Sequence, residues 1–309
     1  MNPHIYSEKM INSIKLHLDY KSKFITSPKF VFLCGKQFTK ESYYETNRGI
    51  IDKFLKSKSK DIYIVLSEQL WEKEFNSNID LLTFEEFLAE VSDCIILFVE
   101  SPGSFCELGA FSYADKLFSD KLAIIIDKQY EGSESFIITG PTAKARKDGS
   151  DIIYASLNGT GLLFSDELRG YVEKVINRFQ SKRDSLNKRK PNSEEDKVLL
   201  NSFIIELLEL IKIIQPVSNK DLLEVYKTVK GFSSFEFIKS DGSKFHNKIM
   251  YEYIIKLLKS VELITIENDL IRINRYYNSQ PFMFRSSRNL ECKERNRLLC
   301  RKYRYKGIV

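Results

Sequence analysis

The chain has 309 residues, enough for two domains, and its 43% apolar and 29% charged composition is that of a soluble globular protein, not of a disordered or fibrous one. No run approaches the ~18 uninterrupted apolar residues of a membrane span, and the N-terminus has no apolar signal region, so a cytoplasmic protein without membrane association is expected. The formal charge of +6 is uneven: residues 275–309 hold ten Lys/Arg against two Glu, a net of +8, which leaves about −2 for residues 1–274 and directs contact with nucleic acid or an acidic partner to the tail.

In chain order, residues 7–24 read as a short helix with Ser7 as N-cap and Met10, Ile11, Ile14 and Leu18 on one face, an arm outside the main sheet. Residues 30–34 form a first strand ended by Gly35, and a polar loop leads to a helix around 41–57, the opening of a βαβ unit. A second strand is predicted at 62–66. Thr83-Phe84-Glu85-Glu86 reads as a capping box, with Leu82 as staple against Phe87, starting a helix to about residue 91. The third strand, 94–99, is an unbroken apolar run that suits the centre of a parallel sheet covered on both faces. Strands at 122–126 and 152–155 bracket a long loop, 127–151, and a helix at about 165–182 closes the domain. The pattern predicts a five-stranded, doubly wound parallel sheet of order 2-1-3-4-5, the flavodoxin-like α/β arrangement. Residues 183–196 read as a linker. Helices at 196–214, 219–229 and 247–261 and a hairpin through Glu267-Asn268-Asp269 then suggest a mainly α, winged-helix-like domain over 197–275, followed by the basic tail, 276–309. The predicted domains are thus 1–28, 29–182, 197–275 and the tail.

Chemistry concentrates after the central strand. Ser101-Pro102-Gly103-Ser104 breaks the run, and Phe105, Leu108 and Phe111 carry helical spacing, which places Glu107 in the first turn of a helix just past the carboxyl end of that strand, where open α/β sheets bind ligands. Ser104 and Glu107 also fit an S-x-x-E capping box, in which the glutamate only returns a hydrogen bond. Gly109, in a helix interior, hints at something passing close to the backbone. The cysteines (Cys34, Cys94, Cys106, Cys292, Cys300) form no C-x-x-C pair and His4, His17 and His246 are widely spaced, so no metal site is expected.

The run S-P-G-S-F-C-E-L-G-A-F, 101–111, resembles the nucleophile motif of nucleoside 2-deoxyribosyltransferases, D-S-G-T-x-x-E-x-G, in which a glutamate is presented to the anomeric carbon of a nucleoside. Residues 93–111, with S-F-I-I-T-G-P at 135–141 and the basic winged-helix-like end, resemble the deoxyribosyltransferase-like effector proteins of bacterial retrons, strongly over about 30–165 and weakly beyond 200. That resemblance implies an antiphage toxin, held in check within an oligomeric complex by a reverse transcriptase and its multicopy single-stranded DNA–RNA hybrid, that causes abortive infection when released. It implies Glu107 as catalytic residue and no cofactor, with NAD or a nucleotide as substrate.

Two departures matter: Ser101 stands where the family carries the opening aspartate of its motif, and Phe32 where it carries a tyrosine. Glu100 is a candidate substitute for the aspartate. Loss of a base-protonating acid is tolerable when the leaving group departs neutral from a cationic glycoside, as nicotinamide leaves NAD, so NAD-type N-glycosidase activity is expected. Glu107 must be ionised for this, and the helix N-terminus favours the anion. Gly35, Ser101, Gly103, Ser104, Glu100 and Asp93 are the candidate substrate-binding residues, although Asp93 opens its strand at the far end. Lys36, Lys40, Arg48, Lys144 and Arg146 are candidates to hold phosphates or form a solvated basic face. Arg285, Arg288, Arg295, Arg297, Arg301, Lys302 and Arg304, interleaved with Phe282, Tyr303 and Tyr305, read either as a nucleic-acid or partner surface or as a disordered basic end. The competing reading of the whole chain is a regulator: a nucleotide-sensing domain without catalysis, fused to a DNA-binding winged helix.

Overall fold

The computed structural model describes residues 8–18, 23–24, 28–74, 80–113, 118, 120–157, 165–175, 197–239, 242–245, 247–275 and 284–285. The chain divides into two compact units, residues 28–181 and residues 1–27 with 182–309. The linker predicted at 183–196 lies outside the described residues, as does the tail apart from residues 284–285.

In the first unit the β-branched and aromatic runs pair as parallel strands. These are β1 (Lys29–Cys34), β2 (Ile62–Val65), β3 (Cys94–Val99), β4 (Leu122–Asp127) and β5 (Asp151–Ala155), in the order β2-β1-β3-β4-β5. This is the predicted doubly wound order, with its switch point between β1 and β3. Every residue of β3 is buried, as a strand covered on both faces requires. On one face, Val31, Leu33, Ile96, Phe98 and Ile125 pack with Ile51 and Leu55 of helix α1 (Asn47–Lys58) and with Leu168, Val172 and Val175 of helix α6 (166–175). Alternation sends Phe32 and Cys34 to the other face, where Phe32 meets Phe111 edge-on at 6.3 Å. Phe111 belongs to helix α4 (Pro102–Tyr113); α2 (Ser67–Glu74) and α3 (Leu81–Val91) lie earlier in the chain.

Three local expectations change. The cap of α3 is Asp80, whose carboxylate accepts from Thr83 N at 2.9 Å, so Thr83 sits inside the first turn and Thr83-x-x-Glu86 is not the capping box. The helix near 41–57 begins later, at Asn47, after a 3₁₀ turn at Tyr43–Glu45. A Cβ on Gly49 would lie 2.0 Å from the Tyr43 carbonyl oxygen, so only glycine lets these two turns touch. The long loop 127–151 is largely helical: a 3₁₀ turn at Lys128–Tyr130, then a wide π turn at Ile138–Thr142 running into α5 (Ala143–Asp148). Pro141 lacks the N–H that a regular turn needs, and the widened turn carries it.

The second unit holds β6 (Lys197–Leu199), α7 (Leu200–Ile214), β7 (Val217–Ser218), α8 (Asn219–Lys230), β8 (Glu236–Ile238), α9 (Asn247–Ser260), β9 (Ile264–Glu267) and β10 (Leu270–Ile273). Strands β9, β10 and β7 form an antiparallel sheet in that order, and β6 pairs with β8 in parallel. The β9–β10 turn has positive φ at both Asn268 (50°) and Asp269 (59°), the geometry of a two-residue hairpin turn, which these residue types tolerate. The N-terminal helix, Glu8–His17, belongs to this unit and lies against α8, with Ile14 and Leu18 buried. Among the described residues no helix is long and apolar enough to cross a membrane.

Candidate active site

Helix α4 starts where the sequence breaks β3. Pro102 takes the first helical position, at which its missing N–H is no loss, and Ser101 precedes it as cap. Ser101 Oγ accepts from Ser104 N at 3.3 Å, while Ser104 Oγ accepts from the N–H groups of Ser101 and Glu100, each at 2.9 Å. The reciprocal pair satisfies the orphan donors as a capping box does, with serine in place of the usual glutamate. Glu107 is therefore released from capping and falls in the second turn, not the first. Ser104, a candidate substrate-binding residue, is fully buried and its N–H is engaged with Ser101 Oγ. Gly103 is exposed, with only Ser101 Oγ near a would-be Cβ.

Glu107 points into the unit at the carboxyl end of the sheet. Its Oε2 is buried and has no hydrogen-bond partner. Burial pushes its carboxyl up from 4.5 to about 8; the Glu85 carboxyl adds to the rise, Arg48 opposes it and Glu68 adds a little more. The helix N-terminus is expected to favour the anionic form of Glu107; the dipole acts within the first turn, and one turn further in burial acts against the charge. Burial likewise pushes the Cys34 thiol, at the end of β1, well above its ordinary range, with Glu107 and Glu85 adding to it.

The neighbouring charges come from three helices. Arg48, from the first turn of α1, is 1% exposed; its Nη1 pairs with Glu68 of α2 at 2.6 Å, its Nη2 donates to the Lys36 carbonyl and its guanidinium lies 4.7 Å from the centre of the Phe38 ring. Its Nε has no partner. Glu85, on α3, is 7% exposed, and burial pushes its carboxyl up to about 7, with a hydrogen bond to Ser67 opposing the rise and Glu68 adding to it. Asn47, beside Arg48, has a buried Oδ1 without partner, while its Nδ2 donates to Glu100 Oε2 at 2.6 Å.

That contact settles where Glu100 goes. Its other oxygen accepts from Lys36 N at 3.1 Å, so the carboxylate ties the end of β3 to the loop after β1 and is occupied in that role. Gly35, at φ 155° and with a would-be Cβ 3.0 Å from Glu100 Oε1, lets the loop come this close. Asp93 lies at the opposite end of β3, where its carboxylate accepts from Phe30 N at 3.0 Å; it joins two strands and is not gathered with Glu107. Gly109 has open space where a side chain would stand, so no protein backbone passes close there. Lys36 and Lys40 are exposed, Lys144 pairs with Asp148 at 2.6 Å and Arg146 donates to the Tyr154 hydroxyl at 3.5 Å; nothing assembles them into one phosphate cradle with Arg48. Arg285 is described only through its strand pairing with Lys23, and Arg288, Arg295, Arg297, Arg301, Lys302 and Arg304 lie outside the described residues.

The sequence reading missed Glu68, Glu85 and Asn47 and gave Arg48 a different task. A signal was present in two cases. Glu85 interrupts the apolar stripe Leu81, Phe84, Leu88, and Arg48 shares a helical face with Ile51 and Leu55, where a cation at a helix N-terminus is unfavourable. Charge on a stripe destined for burial marks a residue with a partner or a task.

The family described as STM3845 retron effector protein matches residues 44–273 of this chain, from the 3₁₀ turn before α1 to the end of β10. The chain belongs to that retron effector family. Among curated relatives, an Escherichia coli protein named "Retron Ec86 putative ribosyltransferase/DNA-binding protein" is 31% identical over 206 residues, 65% of this chain and 65% of the relative. Its Escherichia coli retron Ec73 counterpart, of the same designation, is 26% identical over 217 residues, 67% of this chain and 68% of the relative. The chain thus spans just under two thirds of the length of the first of these proteins.

Proposed function

We propose that this retron effector breaks N-glycosidic bonds in the manner of the nucleoside 2-deoxyribosyltransferases, that Glu107 meets the anomeric carbon, and that NAD or a related dinucleotide is the substrate. The observation that carries the reading is the buried, unpartnered Oε2 of Glu107 at the switch point of a doubly wound sheet, where such sheets bind ligands. The ribosyltransferase designation of both relatives supports it.

In the proposed step the C1′–N bond breaks with its electron pair passing to the ring nitrogen, so nicotinamide leaves neutral and needs no proton. Ionised Glu107 stabilises the oxocarbenium-like carbon or bonds to it, and water then delivers hydroxyl to C1′ while its proton passes to solvent. Glu100, tied to Lys36 and Asn47, takes no part as a base-protonating acid. A second reading draws on the proton that burial keeps on Glu107: the carboxyl would give it to a departing purine, as a general acid does. Purified protein incubated with NAD and with purine nucleotides tells them apart. Release of nicotinamide from NAD is expected, with Glu107→Gln folded and slower by at least about 10³-fold; free purine without nicotinamide refutes the NAD reading, and full activity in Glu107→Gln refutes both.

The partners are proposed from the family and from the second unit. The succession α7, β7, α8, α9, β9, β10 with sheet order β9-β10-β7 supports a winged-helix module. The tip of its hairpin, Glu267-Asn268-Asp269, is exposed and acidic, so phosphate contact falls to the basic residues after 275. A reverse transcriptase and its DNA–RNA hybrid are the partners that this division of charge suits. Complex formation is expected to weaken steeply with salt, with the slope flattened by truncation at residue 285; a salt-independent complex would remove nucleic acid from the tail.

A further inference from the structure

Helix α4 is apolar on the side that faces away from the sheet as well as on the side that faces it. Charged residues make up 29% of the chain, yet among the 12 residues of α4 the only one is Glu107, and it is half-buried. Ser104, Leu108, Phe111 and Ser112 are buried. Helical spacing leaves Phe105, Cys106, Gly109, Ala110 and Tyr113 outside, with Tyr113 82% and Phe105 40% exposed. The π turn at Ile138–Thr142 lies against α4 and brings a third ring, Phe136, which is 81% exposed and rests on Gly140, where a Cβ would stand 3.3 Å from it. A helix apolar all round is ordinarily covered all round, and a contiguous exposed apolar patch marks a docking surface. Gly109 adds a separate observation. Glycine in mid-helix weakens the helix relative to alanine, and nothing in the chain comes within 4 Å of the position its Cβ would take, so one copy of the fold makes no use of the missing side chain.

We propose that this face of α4 pairs with the same face of a second copy, the two α4 helices crossing antiparallel about a two-fold axis with Gly109 allowing their close approach. A two-fold axis sets the centre of a patch against itself, which an uncharged centre suits, whereas a nucleic-acid strand would need cations that this centre lacks. The flanks carry opposite charge. Glu131 and Glu134, both exposed, follow the carboxyl end of β4, the end of the sheet at which α4 starts. At the other end of α4, Lys144 Nζ lies 5.9 Å from the centre of the Tyr113 ring while also holding Asp148, and exposed Lys147 is one helical turn further on. Antiparallel pairing therefore brings the acidic flank of each copy to the basic flank of the other. The exposed parts of the three rings alone supply roughly half of the ~800 Å² that each partner buries in a standard interface. No part of this pairing depends on Glu107 acting on a glycoside.

Sedimentation equilibrium of the purified full chain across the micromolar range tests it. The wild-type chain is expected to form a dimer, and Gly109→Ala, Tyr113→Glu and Phe136→Glu are each expected to raise its dissociation constant by at least about 10-fold. Glu134→Lys weakens the pairing, and Lys147→Glu added to it restores it, because the flanks again carry opposite charge. At a concentration where both proteins are monomers, Gly109→Ala is expected to unfold at a higher temperature than wild type, since alanine is the better helix former and the position has room. Weaker pairing together with a firmer fold cannot come from damage to the monomer. A wild-type chain that stays monomeric overturns the proposal, as does a dimer that none of the three substitutions weakens, which is joined elsewhere. Binding of single-stranded DNA that the same substitutions weaken would give the face to nucleic acid and overturn it too. Base release from NAD is assayed separately, so either result leaves the glycosidase reading to its own experiment.

Discussion

In the C-terminal unit Glu209 lies 4.0 Å from Lys212 with both side chains buried, and Glu206 accepts from Lys230 Nζ and from the Tyr226 hydroxyl at 2.7 Å each. In the α/β unit Glu85 is buried and Glu107 half-buried, burial pushes both carboxyls up, and the arginine that opposes the rise of Glu107 is already paired with Glu68. The first arrangement gives each acid a cation close by, as a buried charge requires if it is only to hold a fold together. The second leaves carboxyl groups on which burial above all keeps the proton, and such perturbed groups mark candidate functional sites. The two units thus handle the same residue type for different ends: compensation where the structure is to stay fixed, imbalance where a ligand is to complete it.

The largest expected effect on stability comes from deepening the imbalance. Arg48→Met removes the cation that Glu68 holds and that opposes the rise of Glu107, leaving buried negative charge uncompensated. A loss of about 3 kcal/mol is expected by urea unfolding near neutral pH. Lys230→Met breaks a contact of similar length in the other unit, yet Lys230 is itself partly solvated and Glu206 keeps the Tyr226 hydroxyl, so the expected loss is only about 1 kcal/mol. Equal losses would break the contrast between the units.

The sheet was legible because five apolar runs alternate with helical spacing, and alternation with right-handed crossovers leaves few topologies. The position of Glu107 at the carboxyl end of β3 followed from that order together with the break at Ser101-Pro102. Its environment did not follow. Ser104 took over the capping role that spacing allowed to Glu107, a choice made by side-chain geometry within one turn. Glu85 and Arg48 reach the site from helices 22 and 59 residues before Glu107, and only the packing of α1 and α3 onto the sheet brings them there. Glu100 is next to Ser101 in sequence, but the approach of the Gly35 loop fixes its direction, which no local pattern records.

A smaller effect sharpens the contrast by its sign. A carboxyl raised to about 8 in the folded protein, from 4.5 otherwise, binds its proton more tightly when folded, so Glu107 costs the fold nothing below about pH 4.5 and destabilises it progressively as pH rises toward 8. Glu107→Gln has no proton to lose. Matched unfolding curves are therefore expected to nearly coincide at about pH 4 and to separate above neutrality, with the variant more stable by about 2 kcal/mol at about pH 9, since partial exposure of the side chain screens part of the full linkage. A compensated acid behaves oppositely: Glu206→Gln gives up a carboxylate held by Lys230 and Tyr226, so it loses stability at neutral pH where Glu107→Gln gains it. A Glu107→Gln protein less stable than wild type at high pH would mean that its carboxylate has a partner in the fold, and the imbalance on which the site depends would be absent.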